Sequence, residues 1–306
     1  MASPVTKPVA TARAEDARVV AFLNRAAGSA EAARKALESA DAFDIRETDA
    51  ESMTRQISEA VDSGSKRVLV CGGDGTIASA AHALADTGVE LAILPGGTFN
   101  HFARDYHIPT DLAEALTAAR GDASAEIDVG YVGDRLFLNT FSVGMYVGYV
   151  RTRDRLEKRV GYRLASLLAV LRTFIRMYPM HVELEVDGKV RRYKTALVFV
   201  GVGERELKAP KLGARIEGGR HGLHVMIVEG RRRARLVAMA MAAAARGVEH
   251  AAEGDALDSF LVERCTIHLG RRRAPVAVDG EIMSLPAPLE LRVERNALKV
   301  VAARCP

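Results

Sequence analysis

The chain has 306 residues, of which 48% are hydrophobic and 27% charged, a balance typical of a soluble globular protein with room for two domains. No apolar run approaches the roughly 18 residues of a membrane-spanning helix, so none is predicted. The net charge of +4 is mildly basic and is compatible with anionic nucleotides or anionic lipid surfaces as partners.

Three cysteines, Cys71, Cys265 and Cys305, are scattered along the chain. An odd number without metal-ligand spacing argues against a disulfide framework and against a zinc site, and fits a reducing cytoplasm. Residues 1–16 carry proline, alanine, threonine and both charge signs without an apolar core. They are therefore predicted to form a disordered tail and not a signal peptide.

Strands and helices alternate in the first third of the chain. Residues 18–23 form an apolar run that predicts a strand, and the Ala-rich, charged residues 30–40 predict a helix. Residues 43–48 predict a second strand, and residues 50–61 repeat apolar side chains at helical spacing. This alternation continues to about Leu116 and predicts a parallel, doubly wound α/β sheet.

A glycine-rich loop lies in residues 68–77, which read V-L-V-C-G-G-D-G-T-I. The pattern predicts a buried strand, a tight loop and a helix N-terminus, an arrangement that favours phosphate. Asp74, a carboxylate beside a phosphate site, indicates Mg²⁺ or a ribose or phosphate hydroxyl as its partner. The alternative is an ordinary βα turn in which Asp74 caps the helix. The candidate phosphate-binding residues are Gly72, Gly73, Gly75 and Thr76.

A second glycine-rich loop, residues 94–100 with the sequence L-P-G-G-T-F-N, follows the apolar run 91–93. Two such loops on neighbouring strands would line one crevice, since ligands of open α/β sheets bind outside the carboxyl ends of the strands. The candidate nucleotide-binding residues of this loop are Gly96, Gly97, Thr98 and Asn100.

The pattern changes after Gly121. Alternating apolar and polar residues with glycine punctuation predict antiparallel strands, and Asp187-Gly188 is a hairpin signal. The second half is therefore predicted to be a β-sandwich-like domain, residues 125–295, interrupted by helices. It follows an α/β domain over residues 17–124.

Two basic segments interrupt the predicted strands, residues 151–178 and the run R-R-R-A-R at 231–235. The first carries leucines at helical spacing with arginines on the remaining positions. Such a helix either contacts anionic lipid headgroups or packs on the sandwich with a solvated basic face. No aromatic interleaving supports RNA binding, so no nucleic-acid partner is predicted.

The tripeptide Asp279-Gly280-Glu281 follows a predicted strand. Phosphoryl transfer needs a residue that orients or deprotonates the acceptor hydroxyl, and Asp279 opposite a phosphate site would supply it. Glu281, two residues on, would share a face with it in an extended chain and assist in binding metal or acceptor. The alternative is that Asp279-Gly280 is only a hairpin turn.

The two loops and the Asp-Gly-Glu triplet, in this order, resemble the diacylglycerol kinase catalytic domain family, which includes bacterial lipid kinases and the sphingosine kinases. The resemblance implies an ATP- and Mg²⁺-dependent kinase of a lipid hydroxyl, with Asp279 at the interdomain cleft facing the γ-phosphate. The family opens with a strand and N-P-x-x-G, which Asn24 and Gly28 match while Arg25 replaces the proline. Thr48 stands where the family has a threonine near the nucleotide, although a threonine there can also be a cap.

The chain departs from the family pattern at two positions. His101 replaces the acid of N-D-F-A-R, and Glu217 replaces an aspartate of a structural metal site in the second domain. The family also returns its last residues to the first domain, which implies that residues 296–306 do so here.

Three functions follow from this pattern. The favoured one is a lipid kinase of lipid metabolism, in the cytoplasm or peripheral at the inner face of the membrane, with homodimerisation open. The second is a non-catalytic nucleotide or lipid sensor, suggested by His101 and Glu217. The third is an NAD kinase, which shares G-G-D-G-T but is disfavoured because the T-P-T-G-S signature is missing.

Overall fold

The computed structural model describes residues 18–40, 42–97, 100–144, 147, 179–206, 214–229 and 257–301. The predicted tail, Thr98 and the two basic segments lie outside these ranges, so the structure does not bear on them. None of the helices in the described ranges combines the length and the apolarity needed to cross a membrane.

The first part of the chain forms a parallel sheet with helices on both faces, as predicted. The strands run in the order β4 (Glu90–Pro95), β3 (Arg67–Gly72), β1 (Val19–Asn24) and β2 (Phe43–Thr48), so the chain reverses its direction across the sheet between β1 and β3. Ligands of such sheets bind at this reversal. The elements are β1 Val19–Asn24, α1 Ala30–Ser39, β2 Phe43–Thr48, α2 Ala50–Asp62, β3 Arg67–Gly72, α3 Asp74–Leu84, β4 Glu90–Pro95, α4 His101–Asp105 and α5 Leu112–Ala119.

Strand β3 explains why its sequence is a continuous apolar run. Successive side chains of a strand point to opposite faces, and here both faces are covered. Val68 and Val70 belong to one core with α2 and α3, whereas Leu69 and Cys71 belong to another with α1 and α5. The strand is thus fixed in the centre of the sheet, and the loop that follows it is held at a defined position.

The second part is built from antiparallel strands around a core of its own, which confirms the predicted fold class. Asp187 and Gly188 form a two-residue turn with φ of +49° and +72°, as the hairpin signal predicts. The strands are β5 Ser124–Val132, β6 Arg135–Phe137, β7 Thr140–Gly144, β8 Met180–Val186, β9 Lys189–Val202, β10 Leu223–Glu229, β11 Leu257–Val262, β12 Arg264–Leu269, β13 Arg273–Val278, β14 Glu281–Pro286 and β15 Leu289–Val301.

Strand β15 belongs to both parts of the molecule. Its beginning pairs antiparallel with β12, and its end pairs parallel with β4 through Lys299 and Val300. The pairing with β5 shifts register between Glu294 and Leu298. This irregularity lies next to the predicted boundary at residues 295/296, although the division into domains stays a prediction. A single continuous sheet therefore joins the two cores.

Candidate active site

The ends of β1 and β3 meet where the chain direction reverses, and a side chain joins them. Asn24 Nδ2 donates to Thr76 Oγ1 at 2.8 Å, and Asn24 Oδ1 accepts from the backbone amide of Ala26 at 2.9 Å. Asn24 thus fixes its own loop and connects it to the first glycine-rich loop. Thr48 ends β2 beside Asn24 in register, and it is buried, with its hydroxyl donating to the carbonyl of Asp49 at 3.2 Å.

The two glycine-rich loops are in direct contact. The amide of Gly96 donates to the carbonyl of Gly72 at 2.8 Å. A Cβ on Gly97 would lie 2.7 Å from the Cα of Gly73, closer than backbone atoms tolerate. Because only glycine permits this approach, the loops form one surface.

The first turn of α3 faces this surface with its amides uncapped. Gly73 occupies the N-cap position and has no side chain that accepts their hydrogen bonds. A helix N-terminus leaves its first amides without intrahelical partners and carries a partial positive charge. The arrangement fits an anion such as phosphate.

Asp74 serves a helix other than its own. Its Oδ2 accepts from the amide of His101 and its Oδ1 from the amide of Phe102, both at 3.1 Å. The alternative in which Asp74 caps the helix that it begins is therefore wrong, because the carboxylate caps α4. Asn100 precedes α4 in the left-handed region, with φ of 50°, and its Oδ1 accepts from the amide of Gly97 at 2.9 Å. Both residues shape the second loop.

Asp279 and Gly280 form the two-residue turn between β13 and β14. Their φ angles are +45° and +85°, and Val278 pairs with Glu281 across the turn. The hairpin reading is thus correct for the backbone, while the side chains of the turn make contacts that a mere turn does not require.

The Asp279 carboxylate accepts three backbone amides. Oδ2 accepts from Leu138 at 2.7 Å, and Oδ1 accepts from Asn139 and from Thr140, each at 2.8 Å. Burial raises the pKa of the Asp279 carboxyl, the three amides oppose this shift, and the negative charge of Asp74 adds to it. The turn therefore lies within the electrostatic field of the first glycine-rich loop.

Glu281 lies over the first turn of α3. Its Oε1 is 2.6 Å from the position that a Cβ on Gly75 would take, and its Oε2 lies 3.3 Å from Nη2 of Arg135. Residues separated by about 200 positions thus meet, and the second part of the chain reaches the glycine-rich loops of the first.

Two predicted site residues make no contact with this cluster within the part of the chain that the structure describes. Gly28 is exposed, and a Cβ there would meet nothing within 4 Å. Glu217 Oε1 pairs with His107 Nε2 at 2.9 Å, and its side chain is 73% exposed. Among the described residues, no group of three potential ligands converges to hold a metal ion. A role of Glu217 in a structural metal site therefore stays a prediction.

Sequence reasoning missed Arg205, which follows β9 and is buried beside the Asp279 turn. Its Nη2 donates to the carbonyls of Asn139 at 2.9 Å and Val202 at 2.8 Å. The one local signal was Gly201, where a Cβ would lie 2.5 Å from Nε of Arg205. A glycine at the end of an apolar strand marks a close approach but does not identify the residue that approaches.

Comparison with known proteins adds the family to this geometry. Residues 18–132 match the diacylglycerol kinase catalytic domain, and residues 144–302 match the YegS C-terminal NAD kinase beta sandwich-like domain. A probable lipid kinase YegS-like protein of Pseudomonas syringae pv. syringae (strain B728a) is 35% identical over 53% of this chain and 53% of its own length. A diacylglycerol kinase of Staphylococcus carnosus (strain TM300) is 28% identical over 50% and 51%.

The matched region spans about half the length of these curated relatives. The fold is similar over a longer stretch: a crystal structure of a diacylglycerol kinase from Bacillus anthracis str. Sterne covers 93% of this chain and 96% of that chain with a TM-score of 0.67 and 20% identity. That likeness concerns the fold alone.

Proposed function

This chain belongs to the diacylglycerol kinase catalytic domain family, and from that premise we propose that it transfers the γ-phosphoryl group of ATP to a hydroxyl of a lipid. The observation that carries the proposal is the meeting of the Asp279–Glu281 turn with the first glycine-rich loop, where Glu281 lies against Gly75. Phosphoryl transfer needs a phosphate site and an acceptor-orienting group side by side, and this contact supports the assignment of the two elements to these roles.

ATP binds, in this proposal, with its phosphates on the uncapped amides at the start of α3. The close contact between Gly73 and Gly97 supports this assignment, because these two glycines present backbone and no side chain to the ligand. Asn24 and Thr76 hold the edge of the site through their mutual hydrogen bond.

Mg²⁺ fits the carboxylates of this site. Mg²⁺ commonly keeps several waters and is bound through one or two carboxylates together with substrate phosphates, so a cage of three protein ligands is not required. Asp74 and Glu281 would hold the ion, which neutralises phosphate charge when bound. Asp74 uses one lone pair of each oxygen on the α4 amides, and a carboxylate oxygen retains a second one.

Asp279 orients and deprotonates the acceptor hydroxyl. Among the described residues, its Oδ2 accepts one amide hydrogen bond, from Leu138, which leaves a lone pair for the hydroxyl. Burial raises the pKa of this carboxyl, and a base with a raised pKa accepts a proton more readily at neutral pH. The three amides fix the carboxylate in one orientation, which is what a base in a loose transition state requires.

The lipid is the acceptor, and its headgroup hydroxyl must reach Asp279 from the second part of the chain. Peripheral contact of residues 151–178 with an anionic membrane stays a prediction, since those residues lie outside the described ranges. Homodimerisation also stays a prediction. A cytoplasmic location at the inner face of the membrane accords with an ATP-dependent reaction on a membrane lipid.

The proposal is tested by incubating the purified protein with γ-labelled ATP, Mg²⁺ and a total lipid extract, with NAD in a parallel reaction. We expect label in an organic-soluble product, which mass spectrometry then identifies. Label in NADP would indicate an NAD kinase. ATP binding without transfer to any acceptor would indicate a sensor and would overturn the proposed activity.

A further inference from the structure

Arg205 is a buried arginine beside the Asp279 turn, and the proposed function gives it no role. It follows β9, and its side chain is only 2% exposed. We propose that Arg205 is a positioning residue for phosphoryl transfer. It aligns the Asp279 turn with the nucleotide loops by donating hydrogen bonds to the backbone between them. This inference rests on the proposed function and extends it to a residue outside the motifs.

The first contact of Arg205 is with the backbone that Asp279 also holds. Its Nη2 donates to the carbonyl of Asn139 at 2.9 Å and to that of Val202 at 2.8 Å. The amide of Asn139 donates to Asp279 Oδ1 at 2.8 Å. One short segment is thus held on its amide side by a carboxylate and on its carbonyl side by a guanidinium. Both groups therefore fix the position of the same residue, Asn139.

The second contact reaches the nucleotide loops through α4. Nη1 of Arg205 lies 3.7 Å from Oδ2 of Asp105, the last residue of α4. The first amides of the same helix are held by Asp74, which belongs to the first glycine-rich loop. Helix α4 is therefore attached at one end to the phosphate site and at the other to Arg205. A continuous set of contacts runs from Asp74 through Asp105 and Arg205 to Asp279.

Burial of the Arg205 charge costs free energy, which favours a functional role for this side chain. Burial lowers the pKa of Arg205, and the charges of Asp105 and Asp279 oppose that shift. Gly201 provides the room, since a Cβ there would lie 2.5 Å from Nε and 2.7 Å from Cγ. Buried ion pairs often contribute little net stability relative to apolar residues of similar volume. A contribution to the stability of the fold is therefore a weak explanation for an arginine at position 205.

Replacement of Arg205 by lysine distinguishes two roles, one that depends on the planar geometry of the guanidinium and one that depends on its charge alone. A guanidinium donates in several fixed directions and can serve two carbonyls and a carboxylate together, whereas a lysine ammonium is a compact charge on a flexible stem. Arg205→Lys keeps the charge and much of the volume but loses this geometry. Arg205→Met removes the charge as well and keeps the volume.

The experiment compares both variants with the wild type in three measurements: the melting temperature, the ATP dissociation constant, and kcat and KM for the lipid acceptor. Arg192→Met is the matched control, because Arg192 is 82% exposed and, among the described residues, forms its ion pair with Glu183, which lies opposite it on β8. We expect Arg205→Lys to fold, to bind ATP within about threefold of wild type, and to lose kcat by about 10- to 100-fold, as a sub-ångström to 1 Å misplacement would cause.

Two results would overturn the inference. Either kcat stays within about twofold of wild type in Arg205→Lys, or the loss appears only as a lower melting temperature with full activity per folded molecule. If Arg205→Met fails to fold, the lysine variant decides. Wild-type protein that transfers no label overturns the proposed function and this inference together. Active wild type with an unimpaired lysine variant overturns this inference alone.

Discussion

Replacement of Gly97 by alanine probes the contact between the two glycine-rich loops. The new Cβ would lie 2.7 Å from Cα of Gly73, 3.0 Å from Oδ1 of Asn100 and 3.7 Å from the amide nitrogen of Asp74. Gly97 has no positive φ, so the effect is steric and not one of backbone strain. Because the main obstacle is backbone, the loops must separate by several tenths of an ångström.

Overpacking of this kind costs about 1–3 kcal/mol. If the loops separate to relieve it, their amides leave the positions that phosphate requires, and a similar free energy is lost from binding. At 1.4 kcal/mol per tenfold change, the ATP dissociation constant should rise by about 5- to 150-fold. Isothermal titration of the Gly97→Ala variant with Mg-ATP, in the absence of lipid, measures this change directly.

Two other glycines calibrate the result. At Gly75 a Cβ would meet only the end of the Glu281 side chain, which can rotate away, so Gly75→Ala should weaken ATP less than Gly97→Ala does. At Gly270 a Cβ would meet nothing within 4 Å, and Gly270→Ala should leave ATP affinity unchanged. Wild-type affinity in Gly97→Ala, with an unchanged melting temperature, would refute the assignment of these loops as one phosphate site.

Two further predictions concern titratable groups. Hydrogen bonds from Arg220 hold the pKa of Glu204 at about 2, below its ordinary 4.5. The stabilisation is thus present above that ordinary value and lost as pH falls through the folded one, so Glu204→Gln should destabilise the protein in urea at neutral pH and progressively less in acid. An equal loss of stability at neutral and at acid pH would contradict this origin. Burial raises the pKa of Cys71 to about 11 and of Cys265 to about 12, so a Cys305→Ser variant should react with a thiol reagent at mildly alkaline pH only after unfolding; rapid native labelling would disprove their burial.

Local sequence patterns predict those parts of the fold that local interactions decide. The apolar run before Gly72 predicts a strand covered on both faces, and β3 is one. Asp187-Gly188 predicts a tight hairpin because both residues adopt positive φ readily, and they do so here. The glycine-rich loops were located in the same way, since glycine is required wherever two backbones approach closely.

Contacts between distant residues could not be predicted in this way. The partners of the Asp279 carboxylate are backbone amides about 140 positions earlier, and amides carry no residue identity that a sequence pattern would reveal. Asp74 caps a helix that begins 27 positions later, whereas the local sequence pattern relates Asp74 as a cap only to the helix that it starts. Arg205 resembles any surface arginine until the strands around it are assembled.

The structure also changes what an Asp279→Asn variant should do. An asparagine side chain has one acceptor oxygen and one NH₂ group, so at least one of the amides of residues 138–140 would face a donor. Leaving a buried donor unsatisfied costs about 1–3 kcal/mol, so the variant should melt at a lower temperature and must be assayed where it is still folded.

The central claim is that the Asp279 turn acts on the acceptor at the glycine-rich loops, and one paired measurement tests it. Transfer of γ-label from ATP to diacylglycerol-containing vesicles, or to the lipid acceptor identified from the extract, is followed for wild type and Asp279→Asn, together with ATP affinity for each. The account predicts an active wild type and a folded variant that binds ATP with little change in affinity. The turnover of the variant should be at least about 10²-fold slower than that of the wild type. A folded variant that keeps more than about a tenth of wild-type turnover would contradict it.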